Sequence, residues 1–265
     1  MTPHLARIDL YPIKSLPGLS VPSVTVLPGG ALQGDRAFAL GDAAGQVVNG
    51  KREVKVHGVR SRFTPNLDQI TLWTETPPQP PQTFPLASDS AALTAWLSAY
   101  LGQPITLHHN PQGGFPDDTN APGPTVVSTA TLRTVADWLG LSLTETRGRF
   151  RTNLEVDGVP AFWEDHLFTD TGAAVPFQIG TATFWGINPC QRCIVPTRDT
   201  QTGVADKTLP QRFSTQRAAT LPPGVARSRF NHFYRLSVNT QVPPDAGTQT
   251  LHVGDPIRPL APHAD

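Results

Sequence analysis

The chain has 265 residues and no formal net charge, with 21 Lys and Arg against 21 Asp and Glu. At 38% apolar and 16% charged residues it can build a core, and it is neither disordered nor a series of membrane spans. The missing positive excess argues against nucleic acid or an anionic membrane as partner. The start Met1-Thr-Pro-His-Leu-Ala-Arg lacks a basic head followed by an apolar stretch, so the expected compartment is the cytoplasm.

Twenty-eight prolines and 22 glycines divide the chain into short pieces. Residues 6–11, 23–27, 37–40, 70–73 and 105–108 are expected strands, being short, partly alternating and bounded by Gly, Pro or Asn. The proline-rich stretch 76–81 is expected to be an exposed loop. Ser90 is a good helix cap, and Leu93, Trp96, Leu97, Tyr100 and Leu101 follow at helical spacing to a stop at Gly102. The polar, broken stretch 110–124 suits a junction, dividing the chain near 1–115 and 116–265. A second helix follows Ser128 through Leu132, Val135, Ala136 and Leu139 to Gly140. Strands are then expected over 149–156, 181–186, 233–238 and 250–253. The predicted class is mostly β (α+β): two β-barrel-like domains with a few short helices.

The only two cysteines sit in Pro189-Cys190-Gln191-Arg192-Cys193-Ile194. A structural zinc site takes four ligands and this motif supplies two. No second CxxC exists, and no histidines show the spacing that would complete such a site. A thioredoxin-like dithiol would open a helix after a strand, whereas Ile-Val-Pro follows here. A structural disulfide is out of keeping with a cytoplasmic protein. Residue logic alone leaves three readings open: a single-thiolate cofactor ligand, a redox thiol, and an inert or zinc-binding pair.

Other segments form an ordered set with this one: Tyr11-Pro-Ile-Lys-Ser15, Gly34-Asp-Arg-Ala-Phe38, Arg149-Phe-Arg-Thr-Asn153 with Glu164-Asp165, then Cys190-Gln-Arg-Cys193 with Thr197, Asp199 and Thr202-Gly203, and Val253-Gly-Asp-Pro256. Together they resemble the MOSC family, in the branch that carries an N-terminal MOSC-associated β-barrel and includes the amidoxime-reducing molybdenum proteins. The resemblance runs in order over nearly the whole chain. It implies a molybdenum cofactor, a pterin whose dithiolene holds the metal, with Cys193 as the protein thiolate. Cys190 is then a small buried bystander. By the match, Lys14, Ser15 and Arg36 meet the cofactor's phosphate. Arg151 and Asn153 meet the pterin; as alternate residues of one strand they would share a face, as would Arg149. Gln191 and Arg192 lie beside the metal, and Asp199 is a proton carrier in a loop that equally suits a turn-forming Asp.

Two departures stand out. Lys51-Arg-Glu-Val54 keeps the family's arginine and lacks its proline, and His166-Leu167 stands where an acidic residue and tryptophan are common. The implied activity is two-electron reduction of an N–O bond in a small N-hydroxylated substrate. Two cysteines cannot also ligate a four-thiolate iron–sulfur cluster, and no GxGxxG follows a strand, so electrons would come from a separate flavin or iron–sulfur reductase. The alternative is a carrier of the cofactor, or of sulfur on Cys193, without turnover.

Overall fold

The computed structural model describes residues 2–260. The described residues are mostly β, with four α-helices among them: α1 (Ala91–Leu101), α2 (Thr129–Leu139), α3 (Leu143–Phe150) and α4 (Leu209–Ala219). The largest sheet has eight strands in the order Ile257–Pro259, Val175–Ile179, Ala182–Gln191, Arg235–Gln241, Val126–Ser128, Leu154–Asp157, His4–Leu10, Leu19–Val21. Val126–Ser128 and Leu154–Asp157 run parallel, with α2 and α3 in the connection between them, as a parallel pair requires.

The first strand belongs to this sheet. His4–Leu10 pairs antiparallel with Leu154–Asp157, in a register that sets Ile8 opposite Leu154. Ser23–Val26 likewise pairs with Gln249–His252. Strands His4–Leu10 and Ser23–Val26 are therefore hydrogen-bonded into the second half of the chain. Leu5, Ile8 and Leu10 share one core with Phe177, Phe184 and Val238, so burial of apolar surface joins the two ends.

The barrel-like N-terminal part holds two three-stranded sheets. One is Val47–Val48, Phe38–Gly41 and Thr106–His109; the other is Val59–Phe63, Gln69–Glu75 and Pro78–Pro85. Helix α1 closes them with Leu93, Trp96, Leu97 and Leu101, and ends at Gly102 with φ 75°. A left-handed C-cap of that kind favours glycine.

Three local expectations change. Residues 78–85 form a paired strand where 76–81 were expected to loop. It lies at the sheet's edge, where a proline's missing donor costs no ladder bond. Residues 149–156 are not one strand. Arg149 and Phe150 end α3, Arg151 is its left-handed cap at φ 50°, and the strand begins at Leu154. Ser142 starts α3, its Oγ accepting from the Glu145 amide at 3.1 Å. Helix α4 is the third, a polar helix held by the single stripe Leu209, Phe213 and Arg217. Among the described residues no helix is long and apolar enough to cross a membrane.

Candidate functional site

One large cleft, of about 1370 Å³, runs between the N-terminal loops and the end of strand Ala182–Gln191. Eleven Lys and Arg line it against five Asp and Glu, on a chain with no net charge. The positive charge is thus concentrated where a concave wall focuses it on a ligand.

Lys14 and Ser15 follow the first strand. The Lys14 amide donates to the Phe38 carbonyl at 2.8 Å, and its Nζ donates to the Phe115 carbonyl at 2.8 Å and reaches Asp117 at 3.0 Å. Lys51 reaches the same carboxylate at 3.4 Å. Burial pushes Asp117 up, but the two ammonium groups outweigh it and hold the carboxyl at about 2. Loop 110–124 is thereby tied down over the cleft through one carboxylate and two cations. Ser15, at φ 76°, accepts from the Gly50 amide at 3.2 Å.

Arg36 and Arg151 both lie over the Tyr11 ring, at 5.3 and 4.1 Å from its centroid. Arg36, at φ 48°, is paired with Asp35. Arg151 donates to the Leu16 carbonyl at 2.8 Å, and burial, aided by Arg36, brings its guanidinium down to about 10. The Tyr11 hydroxyl, pushed well up by burial, stays protonated.

Asn153 is spent on the protein. Its Nδ2 donates to the Asp9 carbonyl at 3.1 Å, and its Oδ1 accepts from the Thr125 amide, the Thr125 hydroxyl and Arg36, each at 3.3 Å. It joins three segments and aims Arg36, and it does not share a strand face with Arg149 and Arg151. Arg149 is buried in α3, bonded to Glu145 at 2.6 Å, the Thr197 carbonyl at 3.2 Å and Asp199 at 3.3 Å.

Both thiols line the other end of the cleft, half-buried and unbridged. Cys190 occupies a register shift between Pro189 and Gln191 and receives Arg192 Nη1 at 3.3 Å. It is therefore a cation-contacting wall residue rather than the buried bystander expected. Arg192 is anchored by its amide on the Tyr234 carbonyl at 3.0 Å and by its guanidinium on the Phe150 carbonyl. Cys193 has no hydrogen-bond partner among the described residues, and Gln191 is exposed at its side.

Asp199 is not brought to the cleft. Its Oδ1 accepts from the Gln201 amide at 3.0 Å and from the Thr202 amide and hydroxyl at 2.8 and 3.0 Å. Burial pushes the carboxyl up, but these bonds more than offset that and leave it below the usual value. It shapes the 199–204 turn, as an Asp in a Thr-Arg-Asp-Thr run does.

Sequence reading missed Asn188, Arg198, Arg235 and Asn239 in the cleft wall, and Tyr234 beside it. Arg235 and Asn239 follow period-two spacing on Arg235–Gln241, which sets both on one face; that alternation was the available signal. Asn188 Oδ1, the Nε atoms of Arg192, Arg198 and Arg235, and the Tyr234 hydroxyl are buried without partners. Buried polar groups left open in this way suit a ligand that supplies the missing bonds. The set fits an anionic ligand beside a free thiol. It does not fit a metal held by protein alone, since no group of three His, Cys, Asp or Glu is placed for one among the described residues.

The family model described as the MOSC N-terminal beta barrel domain matches residues 2–99, and the one described as the MOSC domain matches residues 124–258. Among solved structures the chain is similar to YiiM from Geobacillus stearothermophilus, at 14% identity and a TM-score of 0.30. That likeness covers 52% of this chain and 54% of that one, about half the length of each. No curated protein matches the sequence. The chain belongs to the MOSC domain family, whose domains are associated with molybdenum-cofactor binding.

Proposed function

We propose that this protein is a molybdenum-dependent oxidoreductase that reduces the N–O bond of small N-hydroxylated compounds with electrons from a separate reductase. The observation that carries the reading is the free Cys193 thiol in a cation-lined cleft whose nearby polar atoms lack partners. Cys193 is the soft ligand that would hold the metal. Lys14, Ser15, Arg36 and Arg151 would meet the phosphate and pterin, and Gln191 and Arg192 would flank the metal. Bound there, the cofactor supplies a two-electron redox centre.

The chain's own residues set the surroundings. Tyr234 lies within electrostatic reach of Arg192 and Cys193, and burial pushes its hydroxyl well up, so it keeps its proton and is free to donate to a bound group. Arg149 holds the Thr197–Asp199 turn that follows Cys193 in the chain. The reduction R–NHOH + 2 e⁻ + 2 H⁺ → R–NH2 + H2O balances with protons from solvent and electrons from the partner.

The test is metal analysis of protein purified from a host that makes the cofactor, together with fluorescence of the oxidised pterin. About one molybdenum per chain is expected in the wild type and in Cys190→Ala, with loss in Cys193→Ala. Benzamidoxime should then be reduced with reduced methyl viologen as donor. Wild type without molybdenum refutes the reading, and bound molybdenum without turnover leaves the carrier.

A further inference from the structure

The cysteine end of the cleft carries more positive charge than a thiolate-held metal uses. Arg192 and Arg235 converge on Cys190. Arg192 Nη1 contacts its Sγ at 3.3 Å, and Arg235 stands opposite Gln191 in the strand ladder. Arg235 is fixed by the Pro189 carbonyl at 2.7 Å and Asn231 Oδ1 at 2.7 Å. A third guanidinium, Arg229, reaches the Ile187 carbonyl at 3.4 Å on the same strand. Burial, with Arg229's charge added, pushes the Arg235 guanidinium down, and Cys190 opposes this.

None of these three arginines has a carboxylate within ion-pair range among the described residues. The Nε atoms of Arg192 and Arg235 are buried and unpartnered, as is Oδ1 of Asn188, two residues before Cys190 and so on its side of the strand. The opposite end of the cleft differs, because Lys14, Lys51 and Arg36 are paired with Asp117 and Asp35. Desolvated guanidinium groups without a counter-charge are costly, and a bound anion relieves the cost.

We infer that this end of the cleft selects an anionic substrate, an N-hydroxylated compound whose carboxylate or phosphate sits against Arg192 and Arg235. Asn188 Oδ1 then accepts from the substrate's N–H or O–H. The reacting group's position rests on the proposed reductase reading; the anion preference does not.

The experiment compares benzamidoxime with 4-carboxybenzamidoxime, which differ only in the carboxylate. Binding to purified holoprotein is measured by calorimetry and kcat/KM with reduced methyl viologen. Wild type is expected to prefer the carboxylate by about tenfold or more, the scale of a charge-assisted guanidinium contact. Arg235→Gln should cut the preference to roughly twofold, and Arg235→Lys should restore part of it. Pterin content is measured alongside. Equal binding of the two compounds by wild type overturns the inference. So does an unchanged preference in Arg235→Gln, or pterin loss without a change in preference, which would make Arg235 a cofactor clamp. Protein without molybdenum still reports the preference by calorimetry, so failure of the reductase reading is distinguishable.

Discussion

Replacing Glu164 with glutamine should flatten the pH dependence of stability. Glu164 lies in the short 3-10 turn Trp163–His166 and is 1% exposed. Its Oε2 accepts from the Ser128 amide at 3.2 Å and the Thr131 hydroxyl at 3.1 Å, while Oε1 has no partner. Burial raises its carboxyl strongly, and the adjacent Asp165 charge adds to the rise. Asp165 is taken by Arg217, which is itself buried against the Phe162 and Phe230 rings at 4.2 and 5.0 Å, so that cation is spent elsewhere. An acid whose folded value lies above its unfolded one binds more protons when folded. Its stabilising effect is complete below the ordinary value of 4.5 and is lost as pH rises through the folded value. In that window the loss approaches about 1.4 kcal/mol per pH unit. Between pH 5.0 and 6.5 that amounts to about 2 kcal/mol, or roughly 4–8 °C in Tm at this chain length. Glutamine mimics the protonated acid at every pH. Its unpartnered amide offsets the curve by about 1–3 kcal/mol without tilting it. Urea titrations of both proteins over this range should show wild type losing ground to Glu164→Gln. Parallel curves would refute the reasoning, because they would mean the carboxyl ionises alike in the folded and unfolded chain.

Asn153→Ala leaves the Asp9 carbonyl and the Thr125 amide without their side-chain partner. It should cost about 2–4 kcal/mol and, by releasing Arg36, lower the pterin retained on purification; unchanged thermal denaturation would contradict this. Phe213 packs against Phe150, Trp138 and Tyr234 with centroids 5.7, 5.8 and 5.4 Å away. Phe213→Ala should cost about 3–5 kcal/mol, seen as a Tm lower by roughly 10 °C. Asp199→Ala should leave cofactor content and amidoxime turnover within about threefold of wild type while lowering stability by about 1 kcal/mol; a large loss of turnover at full cofactor content would restore Asp199 as a proton carrier.

The elements legible in the sequence were those whose signal is local. Helix α2 was marked by the Ser128 cap, its apolar spacing and Gly140, and the structure has it over Thr129–Leu139. Helices α3 and α4 were not legible. The first buries Thr146, Arg149 and Phe150, and the second hangs on three residues with Arg217 as one of them. A buried arginine reads as polar surface until its partners are known, and Asp165 and Glu145 lie 52 and 4 residues away. Within the site, Lys14, Arg36 and Arg151 stood out through short motifs. Asn153 was legible as a site residue but not as a brace, because its partners at Asp9 and Thr125 depend on the sheet being assembled. Arg235 carried no motif beyond its alternation with Asn239, and its place beside the cysteines came from its register with Gln191.

The pairing of His4–Leu10 with Leu154–Asp157 has a consequence for biosynthesis. The first strand leaves the ribosome about 150 residues before its partner. At 5–20 residues per second it waits roughly 8–30 s with an unsatisfied edge and the apolar side chains of Leu5, Ile8 and Leu10 exposed. The N-terminal sheets can close around α1 in that interval, but the eight-stranded sheet cannot be completed until more than half the chain is made. Nascent protein in this state is a natural client for a ribosome-associated chaperone, and slower translation through residues 110–150 would lengthen its dependence on one.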